Sequence, residues 1–128
     1  MKTFIAAIVL LAITAALIVS NVIFVNRATD KMLSLCDVFP ADVGDFDERY
    51  EEISTAAEKI FVLWDKCFER FSLTIGFDNI DRVDDAVAEL YAAAKNRDGE
   101  AFIPAAIKLG DSLRRLRRLE NFNFGSIF

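Results

Sequence analysis

Histidine is absent from the 128 residues, and that absence removes whole classes of chemistry. No Ser-His-Asp or Cys-His couple can be assembled, and no imidazole is available to a metal. The five glycines form no phosphate-cradling loop, so nucleotide chemistry of that type is excluded as well. With only two prolines and no low-complexity tract, nothing marks a linker between domains. Cysteine is scarce too. Cys36 and Cys67 are the only pair. If the chain turns back near Pro40, the level opposite Cys36 falls near Phe46 to Tyr50. Cys67 then lies roughly 25–30 Å further along, whereas a disulfide needs Cα atoms within about 7 Å. Two reduced thiols are expected.

Charge is missing where it matters most. Residues 4–25, Phe4 to Val25, contain no charged residue, proline or glycine. About 20 apolar residues suffice to cross a bilayer core of roughly 30 Å, so this run reads as a transmembrane helix after a tail of residues 1–3. A cleaved signal peptide has a shorter apolar core and small residues at its exit; here the exit reads Ile23-Phe24-Val25-Asn26-Arg27-Ala28. A pilin-like start lacks its glycine and early acid. A retained signal-anchor is the expectation. Basic residues near the two ends do not decide orientation, with Lys2 and the amino terminus on one side and Arg27 and Lys31 on the other. The short N-terminal tail and the acidic remainder favour a single-pass protein of the cell membrane with its C-terminal domain extracytoplasmic. Every Lys and Arg except Lys2, and all 20 Asp and Glu, follow the span.

The remainder is long enough for one small domain with one core, and its apolar period is helical throughout. Phe46, Tyr50, Ile53, Ala57, Ile60, Trp64, Cys67 and Phe71 alternate spacings of four and three. Asp45 with Glu48 offers a helix start, after breaks at Pro40 and Gly44. A second helix is expected from about Asp78 to Asn96, and a third carries Phe102, Ala106, Leu109, Leu113 and Leu116. In that third helix either Asp98 caps and Pro104 lies inside, or Pro104 occupies the first position. The expected architecture is all-α: a transmembrane helix, a helical stalk and turn over residues 26–44, an antiparallel up-down bundle of three helices over 45–121, and a C-terminal tail over 122–128.

Few residues invite a functional reading. Arg114, Arg115, Arg117 and Arg118 form a basic cluster in an acidic chain. They suit anionic lipid headgroups or a partner's acidic patch, but antiparallel packing brings them toward Asp78, Asp81, Asp84 and Asp85, and pairing there is favoured. Helical phase splits the cluster, with Arg117 about 40° from Leu113 and Arg115 and Arg118 on another side. The four aspartates themselves suit a hard cation, yet aspartate is also simply favoured at helix starts. Neither a metal nor another cofactor is assigned. Trp64 and Tyr91 are candidates for a ligand pocket between helices, with core packing the stronger reading of Trp64. Ala12, Ala16 and Ser20 recur every four residues in the span, a spacing compatible with a homodimer. Nucleic acid is not expected as a partner.

Trp64 midway along a long helix, the acid-rich start Asp78-Asn79-Ile80-Asp81, and the end from Glu120 through Ile127-Phe128 resemble a family of small, uncharacterised bacterial membrane proteins. The resemblance spans nearly the whole chain; Phe77 stands where the family carries a histidine. It implies a single N-terminal span followed by an all-helical domain, and no activity. An anchor, a regular bundle and no catalytic set point to an interaction module, accessory or scaffold protein at the envelope with an unidentified protein partner, rather than an enzyme. The alternative is a small-molecule sensor with its ligand between the bundle helices.

Overall fold

The computed structural model describes residues 1–73, 75 and 77–127, the side chains of Phe77 and of residues 120–127 excepted. Five helices follow one another: α1 Lys2–Cys36, α2 Val43–Glu48, α3 Tyr50–Ser72, α4 Phe77–Lys95 and α5 Gly99–Ile127. The all-α, up-down arrangement is the expected one. The expected stalk, however, does not stand free. α1 runs unbroken to Cys36, and its second half packs between α3 and α5 as a fourth helix of the bundle. α1 neighbours α3 and α5, α4 also neighbours α3 and α5, and the members of each diagonal stay apart. Met32 and Val25 on α1 are fully buried with Ile53, Ile60, Leu90, Leu109 and Leu113 from the other three helices. The α1 extension is buried because its apolar side, Met32 and Leu35, needs cover as much as the other stripes do.

The boundary of the membrane-length segment shifts with this packing. α1 is long and apolar enough to cross a membrane. Exposure is nearly continuous through Ser20, and burial begins at Asn21. The Asn21 side-chain amide donates to the Arg70 carbonyl at 3.2 Å, and the Arg70 guanidinium lies 3.9 Å from the centre of the Phe24 ring. The last turn of the apolar run therefore belongs to the bundle. Among the described residues, 2–20 stay outside it, about 28 Å of helix.

Two helix starts also differ from expectation. The stripe from Phe46 to Phe71 is not one helix, because the backbone leaves helical geometry at Arg49 (φ −110°, ψ 28°). The cap is Asp42, whose carboxylate accepts from the Asp45 N–H at 2.8 Å. Asp45 instead grips Arg49 through two hydrogen bonds of 2.9 and 2.7 Å, and the guanidinium holds its carboxyl below the usual range. Gly44 sits inside α2 rather than breaking the chain. At α5 the first alternative holds: Asp98 accepts from the Ala101 N–H at 3.1 Å, and Pro104 lies within the helix. α5 continues through Ile127, so residues 122–127 extend the last helix instead of forming a tail.

The end of the bundle far from the free segment is closed by aromatics. Phe102 packs edge-on against Phe39 at 5.1 Å and tilted against Phe46 at 5.0 Å. Tyr50 donates its hydroxyl to the Ala94 carbonyl at 2.6 Å, and Arg97 covers its ring at 4.0 Å. A Cβ on Gly99 would meet Phe46 at 3.0 Å, so glycine is what lets α5 begin against that ring.

Candidate functional site

The α4–α5 turn reverses the chain, and the antiparallel register is marked by Lys108, whose ammonium reaches Glu89 at 3.2 Å. That register brings Arg82, roughly two turns up α4, opposite the arginine run of α5. An open cleft of about 560 Å³ results, lined by Arg82, Lys108, Asp111, Ser112, Arg114, Arg115 and Arg118. Five cations face one carboxylate in a chain whose net charge is −5.

The arginines do not pair with Asp78, Asp81, Asp84 and Asp85 as expected. Arg114 reaches Asp111 one turn back on its own helix at 3.1 Å, and Arg117 crosses to Asp30 on α1 at 2.9 Å. Among the described residues Arg82, Arg115 and Arg118 make no ion pair. The cluster is thus split by helical phase. Arg117 turns to α1, while Arg114, Arg115 and Arg118 turn to the cleft. Asp84 is engaged elsewhere: it accepts the Trp64 indole N–H at 2.9 Å on the α3 side of α4. No group of three or more potential metal ligands occurs among the described residues.

Trp64 and Tyr91 do not form one pocket. Trp64 is 3% exposed and packs against Phe68 and Phe71, as its place on the stripe implies. Tyr91 stacks on Phe61 at 4.3 Å, near the surface, with Lys95 5.3 Å from the ring. Both cysteines are free thiols, in agreement with the sequence. Burial pushes Cys36 up to about 12 and raises Cys67 as well, which removes both from nucleophilic use near neutral pH. Ala16 and Ser20 lie along a shallow groove of the free part of α1, with Ala12 one turn earlier.

Arg82 and Lys108 escaped the sequence reading. Arg82 stands alone among aspartates, and Lys108 is isolated two turns before the arginine run. Only the α4–α5 register joins them to it. No family model, curated protein or solved structure matches the chain.

Proposed function

We propose that this is a membrane-anchored interaction module, an accessory or scaffold protein at the bacterial cell envelope, whose cationic α4–α5 cleft receives an anionic partner. The observation that carries it is the cleft itself: three arginines gathered in one place that, among the described residues, make no ion pair, in an otherwise acidic chain. The free segment of α1 supports the anchoring, since its length matches a bilayer core. The absence of histidine supports a binding role over hydrolytic or transfer chemistry. We place the bundle outside the cytoplasm in a single-pass arrangement.

The test is site-specific photo-crosslinking from Ser112 in intact cells. A discrete adduct is expected, and Arg115→Gln with Arg118→Gln should remove it while the protein stays at wild-type abundance. An adduct indifferent to those substitutions would overturn the proposal. Orientation is tested separately with Asp98→Cys in a background free of Cys36 and Cys67. An impermeant thiol reagent should label it before lysis, and labelling only after lysis would place the bundle in the cytoplasm.

A further inference from the structure

The proposed role leaves open which anion the cleft selects, and the chemistry of its lining narrows the choice. Each guanidinium offers five N–H donors in a planar fork and no acceptor. Arg82, Arg115 and Arg118 have none of these donors engaged by a carboxylate among the described residues. Ser112, half-buried on the same wall, adds a hydroxyl. Lys108 and Arg114 hold Glu89 and Asp111 only through exposed pairs, which are worth about 0.2–1 kcal/mol and exchange readily. The site is therefore rich in donors and poor in acceptors.

A carboxylate presents two oxygens and is used up by one fork. A phosphate group presents three peripheral oxygens and up to two charges, enough to engage two forks together. Several linked phosphates match three forks and a lysine in a way that one carboxylate side chain does not. The cleft volume also falls within the range of small-molecule sites, roughly 300–1,000 Å³.

Height along the bundle and charge together weigh a lipid headgroup against a soluble ligand. Arg117 meets Asp30, ten residues beyond Ser20, so the arginine run lies about 15 Å above the end of the free segment. Screening at physiological salt acts over about 8 Å. The headgroup layer takes up about 5–8 Å of that height, so headgroups come within about one screening length of the run. A phosphodiester headgroup, however, offers one charge and two free oxygens, no more than a carboxylate, and leaves most of the forks unfilled.

We propose that the α4–α5 cleft binds soluble ligands carrying two or more linked phosphate groups, gripped by Arg82, Arg115 and Arg118. The inference rests on the reading of this cleft as the anion-receiving site. Its test is calorimetric titration of the full-length chain, in phosphatidylcholine nanodiscs, with pyrophosphate, tripolyphosphate and a hexaglutamate peptide. Both phosphate probes should bind, tripolyphosphate more tightly, with affinity falling as salt rises. The triple variant R82Q/R115Q/R118Q should lose binding by about a hundredfold, and the triple lysine variant by about tenfold, because an ammonium cannot form the bidentate fork. Should the triple glutamine variant melt below wild type, R118Q alone is compared, with about a tenfold loss expected.

Unchanged phosphate binding in these variants would overturn the assignment. Hexaglutamate binding without phosphate binding would overturn the ligand class and leave the interaction module standing. Failure of all three probes would remove the anion site altogether. Finally, nanodiscs containing phosphatidylglycerol should leave pyrophosphate binding unchanged, and its abolition there would make lipid headgroups the occupant instead.

Discussion

Trp64 shows how a single residue joins core and surface. Its ring fills the middle of the bundle, and its one polar atom reaches the edge of α4 to donate to Asp84. Trp64→Phe removes ring volume and leaves Asp84 without that donor, so a stability loss of about 1–3 kcal/mol is expected in chemical denaturation. Asp84→Asn keeps an acceptor oxygen in the same place and should cost less than Trp64→Phe. An equal or larger loss from Asp84→Asn would mean that the carboxylate's charge, not its hydrogen bond, matters. Cys36 is the residue-scale case for pH. Burial among Phe39, Ala106 and their neighbours disfavours the thiolate and moves the group from its ordinary 9.0 to about 12. The folded state therefore holds the proton more tightly than the unfolded chain does. Stability from this group is complete below about pH 9 and declines as pH rises toward 12. Wild type should lose stability more steeply than Cys36→Ala across that window, and parallel slopes would show that the thiol is not protected by burial.

At the scale of elements, α5 carries the clearest division of labour. Leu109, Leu113 and Leu116 are fully buried, Arg117 is turned to α1, and Arg115 and Arg118 face the cleft. Replacing Arg117 with Gln should lower stability by about 0.2–1 kcal/mol, the worth of a half-exposed pair with Asp30. That loss should shrink in high salt. Arg115→Gln with Arg118→Gln should leave the melting temperature unchanged, and a drop would mean that these arginines serve the fold. The leucine stripe and the phase of Arg117 were legible in the sequence because helical period alone places them. The partner of Arg117 was not, because Asp30 lies on a segment whose role as a fourth bundle helix depends on tertiary packing. The same limit hid Arg82, whose place in the cleft depends on the α4–α5 register. At α2 the period was misleading in the other direction. The apolar stripe continues across Arg49 while the backbone does not, since Asp42 supplies an earlier cap and Asp45 is taken by Arg49.

At the scale of the molecule, the shared helix α1 decides where the protein can be divided. Its free part, residues 2–20, is exposed and apolar, whereas Val22, Val25, Ala28, Thr29 and Met32 are enclosed by α3 and α5. Hydropathy places the boundary after Val25; packing places it at Ser20, because Asn21 and Phe24 are held by Arg70. The two boundaries make different predictions for truncation. A chain beginning at Ser20 keeps every fully buried residue of α1 and should be soluble, helical and cooperative in thermal melting. A chain beginning at Asn26 loses Val22 and Val25, and at about 1.5 kcal/mol or more for each buried valine its stability should fall by roughly 3 kcal/mol or more. Removing α1 entirely, by beginning at Val38, strips the cover from one side of both α3 and α5. Val25, Thr29 and Met32 are all fully buried at that seam. Such a chain should lose cooperative unfolding or aggregate, since three helices with two uncovered apolar stripes resemble a bundle cut in half. If the chain from Val38 melts as cooperatively as the chain from Ser20, α1 beyond Ser20 is only a stalk. If it does not, the membrane-length segment and the bundle core share one continuous structural element.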